Sequence, residues 1–360
     1  MYLCNRKFKG LNMKNIYDFK LNVDERMMNI ISDIDRLNER WTAMEKKKSQ
    51  PLKQIKHLKD VAVIRSIGAS VRIEGSKITD EEIEVLLKNE GIEKPEDKDY
   101  QGIMGYFDAL KTVLKSYEKF PIEENNIKNL HKTLMKYNSK DEQHKGNYKT
   151  RRNAAEVLFP SGVKEVIFRT AEAGLATENA VRRLIEWYHN DMEIHPLIKN
   201  ATFIYEFLNI HPFQDGNGHL SRLLSTLLLL KNEYKWMQYV SYECEIEKRK
   251  NEYYIVLRNC QTQRPYENIT DWVLLYLNAL KNLQSKLMRQ LEPKGTDKPL
   301  SPREQTILDI IRNCQGMKSK DIARRVAISD LSVKRALAEL QAKGFVKKYG
   351  NGISTSYWTR

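Results

Sequence analysis

Cysteine is scarce in this chain: four of 360 residues, Cys4, Cys244, Cys260 and Cys314, lie far apart with no C-x-x-C spacing and no histidine paired to them. That spacing excludes a zinc framework and a disulfide-stapled secreted domain, and it suits a reducing cytoplasm. Long apolar runs are missing too. The richest, residues 220–230, is interrupted by Ser221, Arg222 and Ser225 and is too short to span a bilayer. Residues 1–20 are polar and carry no signal-peptide core, so the expected protein is soluble and cytoplasmic. Strand-like alternation is rare and short, whereas 3.6-residue periodicity recurs along the chain. The expected fold is mainly α.

Positive charge is in excess, with 61 Lys and Arg against 47 Asp and Glu, a formal net charge of +14. The length suggests about two domains. Residues 291–299, with two prolines, a glycine and several charges, read as the linker between them.

One twelve-residue segment concentrates chemistry: His211-Pro212-Phe213-Gln214-Asp215-Gly216-Asn217-Gly218-His219-Leu220-Ser221-Arg222. It holds a base, a carboxylate suited to a hard metal, a Gly-Asn-Gly turn and a cation, the parts that phosphoryl or nucleotidyl transfer requires. Leu220, Leu223, Leu224, Leu227 and Leu228 recur with helical spacing, so a buried helix should open just after Gly218. The glycine turn then lies at a helix N-terminus, where exposed N–H groups and the macrodipole favour an anion. Arg222 follows His219 by three positions and shares its face. Phe203, Ile204 and Phe207 mark a preceding helix that ends at His211. Singly, each residue has a plainer reading: loop histidine, turn dipeptide, surface cation.

Together they resemble the signature of the Fic family, H-x-F-x-[DE]-G-N-G-R-x-x-R, at His211, Phe213, Asp215, Gly216, Asn217, Gly218 and Arg222. Gly146-Asn147-Tyr148-Lys149, before a possible hairpin, and His195-Pro196-Leu197, opening the preceding helix, extend the likeness. The resemblance implies a helical domain over residues 100–290 with a small β-hairpin flap, and transfer of AMP from ATP to a protein Ser, Thr or Tyr hydroxyl. His211 would be the general base and Asp215 the Mg²⁺ ligand. Gly216, Asn217 and Gly218 would form the anion hole, Arg222 would bind the terminal phosphate, and Phe213, within the nucleotide-binding segment, would face the core and hold the loop. His219 stands where the pattern has arginine, which leaves the phosphate clamp one arginine short. Low activity or a different nucleotide is open on that ground.

A second match lies upstream. Ser70-Val71-Arg72-Ile73-Glu74-Gly75 follows [ST]-x-x-x-E-[GN] and resembles the inhibitory helix of self-restrained Fic proteins. By that resemblance, within an N-terminal helical region over residues 1–99, Glu74 would pair with Arg222 and occupy the place of the terminal phosphate. Thr79-Asp80-Glu81-Glu82 reads as a capping box opening the next helix.

Residues 300–360 carry three helical patterns, with Ser319 and Ser329 as caps, and then two short strand patterns around Gly350-Asn351-Gly352. The order resembles a winged helix-turn-helix. Residues 301–360 hold twelve Lys and Arg against five Asp and Glu, so duplex DNA is a candidate partner, with Ser332, Lys334 and Arg335 facing the groove. Two function classes follow: a nucleotidylyltransferase restrained by its own helix, and a DNA-binding regulator whose Fic domain is weak or repurposed. Removal of AMP from a modified protein is a third, and a homodimer is open.

Overall fold

The computed structural model describes residues 13–47, 57–88, 97–138, 142–158, 164–291, 300–350, 352 and 355–359. The chain forms two compact units, Met1–Met288 and Arg289–Arg360. Cys4 and linker residues 292–299 lie outside the described residues.

The first unit opens with an antiparallel hairpin, β1 (Met13–Ile16) and β2 (Phe19–Asn22), followed by helices α1 (Glu25–Lys46), α2 (Leu58–Ile73), α3 (Asp80–Lys88), α4 (Lys98–Ser116) and α5 (Glu124–Leu134). A second antiparallel hairpin, β3 (Ala154–Leu158) and β4 (Lys164–Arg169), stands where the flap was expected. Helices α6 (Leu175–Asn190), α7 (Pro196–Ile210), α8 (Asn217–Lys231), α9 (Tyr242–Lys248), α10 (Lys250–Gln261) and α11 (Thr270–Leu291) follow. The pair α7 and α8 is the centre: Phe203, Phe207, Leu223, Leu224, Leu227 and Leu228 are all fully buried. A helix apolar on nearly every side belongs inside a larger bundle. His195 caps α7 by accepting the Leu197 N–H at 3.3 Å, with Pro196 at the first helical position.

Thr79 and Glu82 form the expected capping box of α3, Thr79 N–H reaching Glu82 Oε2 at 2.8 Å and Glu82 N–H reaching Thr79 Oγ1 at 3.2 Å. Helix α8 begins at Asn217, inside the Gly-Asn-Gly turn rather than after it, with Gly216 as its cap. Gly218 thus lies within the first helical turn, behind the Gly216 cap.

The second unit is three helices, α12 (Pro302–Asn313), α13 (Ser319–Val326) and α14 (Asp330–Ala342), and an antiparallel hairpin, β5 (Val346–Tyr349) and β6 (Ser356–Thr359). Ile307, Leu308, Ile311, Ile322, Val333, Leu337, Leu340, Val346 and Tyr357 make its core. Ser329 caps α14 as expected, accepting the Ser332 N–H at 3.3 Å. Ser319 does not cap α13. It is that helix's first residue, the cap position falling to Lys318 without a side-chain bond. Among the described residues, no helix is long and apolar enough to cross a membrane.

Candidate active site

The turn between α7 and α8 gathers nearly every residue singled out above. His211 ends α7 in the left-handed region, φ 49°, an uncommon conformation for a residue with a Cβ. Its N–H still closes the helix onto Phe207 O at 3.0 Å. The ring places Nδ1 3.4 Å from the Leu208 carbonyl. A carbonyl only accepts, so Nδ1 carries the proton and Nε2 keeps the lone pair. Burial, followed by the nearby Lys149 ammonium, pushes the imidazole down to about 4, against the opposing pull of Leu208 O, Glu74 and Asp215. The ring is a neutral base at physiological pH.

Phe213 is wholly buried and stacks on His131, ring centroids 3.8 Å apart and planes within 9°. It holds the loop and offers no surface to a ligand. Asn217 braces the same turn twice, its Oδ1 accepting Phe213 N–H at 2.9 Å and its Nδ2 donating to Phe213 O at 2.7 Å. Its side chain is therefore spent on the loop, leaving its backbone to the anion site. His131 accepts the Gly146 N–H on Nδ1 at 3.0 Å, so Nε2 donates to Asp215 O, also at 3.0 Å. His131, Lys149, Asn153 and Thr170 were not singled out as site residues. Only the Gly146-Asn147-Tyr148-Lys149 likeness pointed near them, because their contacts run through backbone carbonyls that no side-chain pattern marks.

Asp215 is exposed, with Oδ1 accepting the Gly216 N–H at 2.7 Å. Gly216 has φ 76°, a conformation that suits glycine. A Cβ at Gly218 would stand 2.5 Å from Glu74 Oε1. The carboxylate lies directly over the first turn of α8.

Arg222 is buried at 2% exposure and turns its whole guanidinium toward the end of α2. Nε donates to Ser70 Oγ at 3.0 Å, and one terminal nitrogen donates to Ser70 O at 3.3 Å and Glu74 Oε1 at 2.8 Å. Ser70 Oγ lies 2.8 Å from His219 Nδ1. A terminal nitrogen of Arg222, which can only donate, also lies 3.2 Å from His219 Nδ1, so that nitrogen is an acceptor, the Ser70 proton points at it, and the ring proton is on Nε2. Burial and then Arg222 push His219 down to about 4, so it is neutral. Desolvation would raise the Glu74 carboxyl, but the charge and hydrogen bond of Arg222 outweigh it and hold the group below the ordinary range. Its side chain keeps 43% of its surface, because it faces the cleft.

Arg72 fixes the end of α2 from the opposite side. It grips Glu247 with two nitrogens, at 2.6 and 3.1 Å, and reaches Asp80 Oδ1 at 2.9 Å. A cleft of about 790 Å³ opens beside these groups, lined by His211, Asp215, Gly218, His219, Arg222 and Glu74 among others. Among the described residues, no three His, Cys, Asp or Glu side chains gather to hold a metal.

In the second unit, the expected groove-facing residues lie on the first two turns of α14. Lys334 is tethered to Asp330 at 2.8 Å, and the Ser332 hydroxyl sits 2.9 Å from that of Ser329. Arg335 is exposed on the same helix.

Comparison with known proteins agrees with this architecture. Residues 121–229 match the Fic/DOC family, and residues 300–347 match a winged helix-turn-helix DNA-binding family. A relative from Aquifex aeolicus, named "Probable protein adenylyltransferase", is 28% identical over 156 residues, 41% of this chain and 47% of its own length. "Protein adenylyltransferase Fic" of Drosophila erecta is 25% identical over 229 residues, 62% of this chain and 42% of its own length. The chain thus spans less than half the length of these curated relatives. A Fic family protein from Desulfovibrio desulfuricans G20 shares the fold with a TM-score of 0.59 at 20% identity, covering 94% of this chain and 97% of the other. A Fic-domain signaling protein from Bacteroides thetaiotaomicron gives 0.53 at 23% identity, covering 72% and 94%. The chain carries a Fic domain followed by a winged helix-turn-helix.

Proposed function

We propose that this Fic-domain chain is a protein nucleotidylyltransferase that transfers AMP from ATP to a protein hydroxyl and is restrained by its own Glu74. The observation that carries the reading is the pairing of two groups across one glycine turn. A neutral imidazole, its Nδ1 turned to the Leu208 carbonyl, stands at its start, and a buried guanidinium reaches its far end. The cleft of about 790 Å³ is within the usual range for a small-molecule site.

The incoming hydroxyl oxygen bonds the α-phosphorus as the bond to the bridging oxygen of the β-phosphate breaks, and pyrophosphate leaves. His211 Nε2 takes the hydroxyl proton. The N–H groups at the start of α8, with Gly218 open to close approach, would stabilise charge on the phosphate oxygens. Arg222 would hold the terminal phosphate. Asp215, an exposed carboxylate at the turn, fits Mg²⁺, which accepts one protein carboxylate with substrate phosphates as further ligands. When bound, that ion would neutralise the diphosphate. Glu74 competes for the Arg222 guanidinium, so the resting protein should be slow.

The test is incubation of wild type, Glu74→Gly and Glu74→Gly/His211→Ala with Mg²⁺ and ATP labelled on the α- or the γ-phosphate. Protein-bound α-label, strongest in Glu74→Gly and absent with His211→Ala, is the expected result. Label from the γ-position instead would replace AMP transfer by phosphoryl transfer. No label from any nucleotide triphosphate in Glu74→Gly would favour the second reading, a DNA-binding regulator with a repurposed Fic domain, for which the neutral, Ser70-bound His219 already speaks.

A further inference from the structure

The peptide unit that enters His211 and the one that leaves Pro212 both hang on one residue. Lys149 Nζ donates to Ile210 O at 2.9 Å, and its backbone N–H donates to Pro212 O at 2.9 Å. Asn153, four positions on, takes the two carbonyls in between and beyond, Nδ2 reaching His211 O at 3.4 Å and Phe213 O at 2.7 Å. The carbonyls of four successive residues, 210–213, are thereby fixed from the segment that leads into the flap hairpin.

Lys149 is 1% exposed, and its ammonium also meets Thr170 Oγ1 at 2.9 Å and Asn153 Oδ1 at 3.0 Å. Three oxygen acceptors around one nitrogen call for three N–H donors. Only the protonated form supplies them, since Ile210 O and Asn153 Oδ1 only accept and the Thr170 hydroxyl turns its own proton to Asn153, 2.7 Å away, leaving a neutral amine's lone pair against an oxygen. Burying a cation is costly unless it is paired. Here the offset comes from oxygen dipoles, above all Ile210 O, the last carbonyl of α7, where the negative end of the macrodipole lies.

We propose that Lys149 is a positioning residue for His211: its ammonium locks the left-handed turn that presents the imidazole to the cleft and disfavours a second positive charge on that ring. The proposal rests on the reading of His211 as the base. The other charged groups acting on the ring are Glu74 and Asp215, both of which favour its protonation, so Lys149 opposes them. Around Lys149 itself, Glu172 favours the charged amine and Arg152 disfavours it, while burial, the largest influence, pushes it down to about 8.

The experiment is an NMR titration of the full chain labelled with ¹³C-histidine, the His211 signal being assigned by its loss in His211→Asn. The wild-type ring should titrate near pH 4 and show a second, smaller step near pH 8 as Lys149 loses its proton. Lys149→Met should raise the ring's midpoint by about one unit, the low end of what a neighbouring charge does, and Lys149→Arg should leave it near the wild-type value. A lowered melting temperature with an unmoved midpoint would make Lys149 merely structural and overturn the proposal. Should Lys149→Met fail to fold, the wild-type curve decides, and a His211 signal that stays flat across the pH range in which the Lys149 ammonium is itself seen to titrate overturns it equally. AMP transfer by Glu74→Gly/His211→Ala, measured in parallel, separates the two ideas: persistent transfer removes the base reading and leaves the effect of Lys149 on the ring standing.

Discussion

Glu74 Oε1 lies 2.8 Å from a terminal nitrogen of Arg222, across 148 positions of sequence. One partner is buried and the other is open to the cleft, with side-chain exposures of 3% and 43%. Removing the carboxylate therefore returns the guanidinium to the cleft. Glu74→Gly should raise AMP transfer roughly tenfold or more, equivalent to about 1.4 kcal/mol in the barrier. Arg222→Ala should stay inactive even in the Glu74→Gly protein. Initial rates with α-labelled ATP check both, and equal rates for wild type and Glu74→Gly with the fold intact would reduce α2 to scaffold.

The pH dependence of stability follows from two depressed histidines. His211 and His219 titrate at about 4 in the fold, below the ordinary 6.5, so between those values the unfolded chain binds protons that the native one does not. Their contribution is complete above pH 6.5 and is lost as pH falls toward 4. Each unit corresponds to about 1.4 kcal/mol before solvent screening. The melting temperature should fall over that window, and His219→Gln, which keeps a neutral side chain, should make the fall shallower. A decline equally steep in the variant would place the acid sensitivity elsewhere.

Much of this site could be read from residues 211–222 because each chemical part sits within one turn of the next. The periodic leucines gave α8, and the Ser70–Gly75 pattern pointed to a carboxylate at the end of α2, where Glu74 is the capping residue. Three features could not be read. The helix start moved to Asn217 because Gly216 takes the left-handed cap, a backbone state that composition does not disclose. Ser319 looked like a cap, yet Lys318 holds that position in extended geometry, and propensity alone cannot choose between adjacent residues. The hold of Lys149 and Asn153 on carbonyls 210–213 is invisible to any pattern of side chains.

The winged helix offers a separate test. Arg335 is exposed and Lys334, also exposed, is tethered by an i, i+4 partner, Asp330, so both remain available to phosphates. Replacing both with Ala should weaken duplex binding and lower the slope of log K against log salt by about two, if each neutralises one phosphate. Fluorescence anisotropy across salt concentrations measures this. A slope unchanged by the double variant would move the contact surface off α14.

His219 is the point where this sequence leaves the family pattern, and its neighbours define what an arginine there would do. The imidazole accepts the Ser70 proton at 2.8 Å and lies 3.2 Å from the Arg222 guanidinium. An arginine has no lone pair to offer, so His219→Arg must turn the Ser70 hydroxyl away and place two cations side by side. In the resting protein the extra cation would have Glu74 as a ready partner, and transfer should stay slow. In Glu74→Gly no carboxylate competes, and the second guanidinium can meet the phosphates instead. Glu74→Gly/His219→Arg should then bind ATP more tightly than Glu74→Gly and transfer faster, by roughly the tenfold that 1.4 kcal/mol represents. Isothermal titration of the nucleotide and initial rates would show it. A double variant that binds ATP more weakly than Glu74→Gly would mean that His219 makes its own contact to the donor, through the Nε2 proton that the Ser70 bond leaves facing away.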